Sequence, residues 1–278
     1  MKIEDIQRQI NKLIEGENNR ELADFEGYSP AEMYQIMYFT FNPGNPVQLQ
    51  RLEDDEYRQI PMLNQIKYLA NLIDKAGEVK LTNKGFLPTR IVAELYQQRF
   101  ITDVSIELKI SKLYKETDAM SINLSRILLE LSGLVKKRSG KLSLTAAGRK
   151  TLSDNHALLH LILATFANKF NWAYYDGYTN EKTAQVGYGF TLILLSEYGD
   201  EKRLDSFYAE KYFRAFPMLK DLDRNPVRCY SVRSFNRFLN YFGLIRIEST
   251  VPIIQTVKHI SKTDLFDKLI SITPPKLA

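Results

Sequence analysis

The chain has 278 residues, with 38 Lys+Arg against 33 Asp+Glu, a net charge of +5 and 44% hydrophobic residues. That length suits about two domains, and so ordinary an apolar content excludes wholesale disorder. The single cysteine, Cys229, excludes a disulfide framework or a multi-thiolate zinc site within one chain, and the longest apolar run, Leu158–Ala167, falls short of the roughly 18–20 residues of a membrane span.

Residues 1–60 read as an acidic helical region whose start, Met1-Lys-Ile-Glu-Asp5, has no apolar signal-peptide core, so a cytoplasmic protein is expected. Residues 61–100 follow with an amphipathic helix, Leu63, Ile66, Leu69, Ala70 and Ile73 falling on one face. After it comes the frame Gly77-Glu-Val-Lys-Leu-Thr-Asn-Lys-Gly85. The same G-x-apolar-x-L-T-x-x-G frame returns at Gly140-Lys-Leu-Ser-Leu-Thr-Ala-Ala-Gly148, inside a segment 101–155 whose helix carries Leu124, Ile127, Leu128 and Leu131. Apolar-x-Leu has the period of a half-buried strand, and Thr is suited to cap a following helix, which is expected in both copies. The first copy is too short for a full hairpin and reads as a degenerate module.

Residues 156–200 form an aromatic-rich connector in which Trp172, Tyr174, Tyr175 and Tyr178 could line a pocket or, at such helical spacing, an interdomain core. Residues 201–278 contain a third helix-to-strand junction, Tyr241-Phe-Gly-Leu-Ile-Arg-Ile, which lines up with Leu131-Ser-Gly-Leu-Val-Lys-Lys. An excursion through Pro252 and a returning segment from Thr256 follow, without the L-T-x-x-G frame.

Helix, Gly, strand, polar turn, strand, helix is the layout of a winged helix. The stretch Gly133-Leu-Val-Lys-Lys-Arg-Ser-Gly-Lys-Leu-Ser-Leu-Thr-Ala-Ala-Gly-Arg149 resembles the recognition-helix end and wing of multiple-antibiotic-resistance-type transcription regulators, over about thirty residues. The fold class expected is mainly α with small β-hairpins, arranged as tandem winged-helix modules.

The charge is unevenly placed. Residues 1–100 carry 12 basic and 15 acidic groups, whereas 101–180 carry 11 and 7, and 181–278 carry 15 and 11. The acid-poor clusters fall on the wing and helix of the repeat, where they suit a polyanion. DNA is therefore the expected partner. Base contacts are expected from Arg233, Asn236, Arg237 and Asn240, the side-chain types that pair with guanine and adenine edges. Backbone or wing contacts are expected from Lys136, Lys137, Arg138, Lys141, Arg228 and Arg246. On the helix of the second module, Ser121, Asn123, Ser125, Arg126 and Glu130 should form the exposed face.

No catalytic residues, metal site or cofactor site emerge. His156 and His160 stand four apart but lack an H-E-x-x-H context, and Gly187-Tyr-Gly189 lacks the third glycine of a dinucleotide loop. Arg228 beside Cys229 could lower the thiol pKa, although a small buried hydrophobe is the commoner role. The expected function is non-catalytic DNA binding in transcriptional regulation or mobile-element maintenance. The alternatives are a protein–protein adaptor, including a homodimer, and a single-stranded nucleic-acid or RNA binder working through the aromatic stretch.

Overall fold

The computed structural model describes residues 3–221, 223–249 and 257–276, so Pro252 and Thr256 lie outside the described residues. The chain is mainly helical with three small antiparallel sheets. In the N-terminal region, α1 (Ile3–Asn19) buries no residue, α2 (Pro30–Tyr38) is closed by a Ser29–Glu32 capping box, and β1 (Val47–Leu49) precedes the short α3 (Asp54–Tyr57).

Next come α4 (Pro61–Ala76), β2 (Val79–Lys80), α5 (Thr89–Gln97), the single-turn α6 (Val104–Glu107) and α7 (Met120–Leu131). The hairpin β3 (Val135–Arg138) and β4 (Lys141–Leu144) is followed by α8 (Ala146–Leu152) and α9 (Asn155–Asn168). The second half begins with α10 (Tyr188–Tyr198), β5 (Arg203–Leu204), α11 (Asp205–Ala215) and α12 (Pro226–Ser231), which runs on as π-helical turns over Val232–Leu239. The chain continues through β6 (Ile245–Ser249), β7 (Lys258–Lys262), α13 (Asp264–Leu269) and β8 (Ile270–Ile272).

The segments 61–100 and 101–155, read from the sequence as two modules, share one sheet. β2 pairs with β4, giving the order β2-β4-β3, so α4 and β2 complete the unit whose hairpin is β3-β4. The reason is reach: β2 is two residues long and cannot bury Val79 alone, whereas Leu142 stands directly opposite it. The expected helix cap at Thr82 is likewise replaced by a turn. Thr82 Oγ1 accepts from Phe86 N (3.1 Å) and its carbonyl from Gly85 N (2.8 Å), while α5 starts only at Thr89.

A second unit repeats the first, with α10, β5, α11, α12 and the β6-β7 hairpin in the same order and the strand order β5-β7-β6. It starts inside the stretch read as a connector. The two hairpins end in the same latch. Thr145 Oγ1 donates to Gly133 O (3.0 Å) and accepts from Gly148 N, while Thr263 Oγ1 donates to Gly243 O (2.9 Å) and accepts from Phe266 N. Both glycines have positive φ, +75° and +71°, as the helix-to-strand corner requires.

β1 pairs with β8, and the Tyr28 hydroxyl donates to Thr273 O (2.7 Å), tying the two ends of the chain together. One continuous apolar core runs through both units. No helix among the described residues is long and apolar enough to cross a membrane.

Candidate nucleic-acid interface

Three of the four basic residues of the first hairpin, Lys136, Arg138 and Lys141, lie on one solvent face. In β-strands, residues directly opposite one another point to the same side, and so do residues two apart. Lys80 stands opposite Lys141, Lys141 opposite Arg138, and Lys136 two residues before Arg138. All four are exposed, while Val79 and Leu142 on the other face are buried. Lys137, on that other face but at the edge strand, is exposed and reaches the turn at Gly85. Among the described residues, Glu78 is the acid paired with this face, its carboxylate accepting from Lys141 Nζ at 2.7 Å. The Lys141 ammonium holds the Glu78 carboxyl below its ordinary value of 4.5, and the charge of Lys136 acts in the same direction. Three like charges in direct register repel, and among the described residues the Glu78–Lys141 pair is the one ion pair that any of them makes.

The expected base-reading residues are placed differently. Arg233 is fully buried and Arg237 is 8% exposed. Arg233 grips the Asp176 carboxylate through Nε (3.0 Å) and Nη2 (2.8 Å), and its Nη1 donates to the carbonyls of Asn180 and Thr183. Arg237 Nη1 donates to the same carboxylate (2.8 Å) and to Trp172 O, with Nη2 on Tyr175 O. These guanidiniums are therefore structural clamps and do not face a groove. Asn236 is half-buried and accepts from Lys258 Nζ, whereas Asn240 is exposed. Of the expected backbone contacts, Arg228 and Arg246 are exposed, Arg246 lying 3.7 Å from Asp264.

The expected exposed face of α7 is also enclosed. Ser121, Asn123, Ser125 and Arg126 are all buried, and Glu130 is half-buried. Gln65 of α4 donates to Ser125 Oγ (2.9 Å), Arg126 Nε donates to the buried Glu116 (2.7 Å), and the Tyr175 hydroxyl donates to Asn123 Oδ1 (2.6 Å). A polar face satisfied in this way packs as a core face.

Most of the aromatic residues expected to line a pocket are packed against neighbouring groups. Trp172 is 2% exposed, donates to Phe166 O (2.8 Å) and stacks on Phe166 and Phe238. Tyr175 is half-buried, Tyr178 lies beneath the Arg233 guanidinium, and only Tyr174 is exposed. The segment from Trp172 to Thr183 thus bonds to both α7 and the π-helical turns. Its signal in the sequence was the lone Asp176 amid aromatics, the counter-ion of two arginines far along the chain.

Burial pushes the Cys229 thiol up to about 12, against the lowering considered from Arg228. Among the described residues, no three His, Cys, Asp or Glu side chains converge to hold a metal ion. Burial pulls the His156 imidazole below its ordinary value of 6.5, with Arg51 acting in the same direction.

Residues 58–158 match the family model described as the Y4jL N-terminal domain. The match starts just before α4 and ends within α9, so it takes in the whole N-terminal unit. No curated protein and no solved structure matches the chain.

Proposed function

We propose that this is a non-catalytic DNA-binding protein of two tandem winged-helix modules, docked on the phosphate backbone through the exposed face of β2-β4-β3. The supporting observation is the in-register row Lys80, Lys141 and Arg138, flanked by Lys136, on a hairpin in the position of a wing. Phosphates would neutralise that row and release counterions. With Arg233 and Arg237 engaged by Asp176, backbone contacts dominate and sequence preference is weak. A role in transcriptional regulation or mobile-element maintenance in the cytoplasm fits such a binder.

The test is fluorescence anisotropy on a random duplex across a salt series. Wild type should bind with a steep salt dependence, and Lys136→Gln with Arg138→Gln should flatten the slope by about one unit per lost phosphate contact. Salt-independent binding, or a double variant that binds like wild type, sinks the proposal. One observation favours the second reading, a protein–protein adaptor: α7 is buried by its own chain. That reading gains if duplex affinity is absent.

A further inference from the structure

A cleft of about 310 Å3 opens in the C-terminal unit where β5 meets α11, beside the start of α12 and the start of β7. Its wall carries Asp205, Ser206, Asn225, Arg228 and Lys258. Lys258 is 3% exposed, yet among the described residues its ammonium has no carboxylate within hydrogen-bonding distance. Nζ donates to two neutral oxygens, Ser231 Oγ at 3.0 Å and Asn236 Oδ1 at 2.6 Å. The nearest acid, Asp205, lies 4.0 Å away, and its Oδ2 accepts the Ser231 hydroxyl.

An ammonium has three donors, so one remains to be satisfied. On the same wall Arg228 is exposed and has no ion pair among the described residues. One wall thus carries two cations, and the carboxylate on it, 4.0 Å from Lys258, is already engaged by a hydroxyl. Burial pulls the Lys258 ammonium below its ordinary value of 10.5. Asp205 opposes that shift without cancelling it, and Arg228 adds to it. Such an under-compensated buried charge is costly, and a bound anion offsets the cost.

We propose that this cleft binds a phosphate group, with the free Lys258 N–H and the Arg228 guanidinium on its oxygens and Ser206 and Asn225 as neutral neighbours. A tetrahedral dianion matches two cations better than a carboxylate does, and a guanidinium fork binds two of its oxygens at once. The cleft has room for the group to which the phosphate is attached. It belongs to the other unit from the basic sheet face, so the site stands or falls independently of the DNA reading.

Calorimetric titration with inorganic phosphate, against chloride at matched ionic strength, tests it on the full chain. Wild type and Arg138→Gln should bind saturably, Arg228→Gln about tenfold more weakly, and Lys258→Met not at all. Arg228 is exposed, so its variant keeps the fold and the test holds even if Lys258→Met does not. No saturable binding by wild type, or equal affinity in Arg228→Gln, overturns the proposal. Two further arms separate the sources of the phosphate. Displacement of a bound duplex by phosphate in wild type but not in Arg228→Gln assigns the cleft to a nucleic-acid backbone. Tighter binding of deoxyadenosine 5′-monophosphate than of phosphate, with the duplex retained, assigns it to a soluble phosphomonoester.

Discussion

Asp176 is the smallest unit on which the architecture depends. Its carboxylate takes three hydrogen bonds from Arg233 and Arg237, and the same guanidiniums hold the carbonyls of Trp172, Tyr175, Asn180 and Thr183. Removing one partner of a buried ion pair leaves the others uncompensated, so Asp176→Asn should cost about 3–5 kcal/mol by urea denaturation. Burial alone would raise the carboxyl, but the two guanidiniums hold it below its ordinary value of 3.8. A depressed folded-state pKa stabilises above the unfolded value and loses that contribution as pH falls. Denaturation midpoints should therefore fall below about pH 4 in wild type, and Asp176→Asn should lose that part of the acid sensitivity. Arg233 and Arg237 read as a DNA-facing pair because no acid lies on their own helix. Their partner is 57 residues away from Arg233 in the chain, a separation that helical periodicity cannot reveal.

At the scale of elements, the Thr latch sets where each hairpin ends. Thr145→Val and Thr263→Val each remove a cap and a bond to a glycine carbonyl, and each should lower stability by about 1–2 kcal/mol. If only Thr145→Val costs stability, the two latches are not equivalent. Gly148 is fixed by space, since a Cβ there would stand 2.2 Å from Leu134 O. Gly148→Ala should therefore destabilise, although Ala is the better helix former by about 1 kcal/mol. By contrast α1 buries nothing, and Ile10→Ser should change stability by less than about 0.5 kcal/mol. The amphipathic helices were legible because α4 buries the face its spacing marked, Leu63, Ile66, Leu69, Ala70 and Ile73. The repeat was legible only in part. The frames at Gly77 and Gly140 match in letters, yet Thr82 closes a turn and Thr145 caps a helix. The structural counterpart of Thr145 is Thr263, which lies in no matching frame. Hydrogen-bond geometry is conserved there between units while the letters around it are not.

Across the whole molecule, the two units meet through the segment from Trp172 to Thr183. Its Tyr175 hydroxyl bonds Asn123 of α7, and its carbonyls and Asp176 hold the arginines of the π-helical turns. The strand pair β1-β8 closes the chain from the other side. The net charge of +5 is consequently misleading as a measure of the available surface. Arg126, Arg233 and Arg237 are spent inside on carboxylates, and the cations of the β2-β4-β3 face remain outside. A core continuous through both units has a thermodynamic consequence, because neither unit can lose its packing without exposing the apolar surface of the other. Trp172, the single tryptophan, sits at the junction against Phe166 and Phe238 and reports on it directly. In urea, its emission should change at the same midpoint as far-UV circular dichroism, in one transition. An emission change that precedes the loss of helix would mean that the junction opens first.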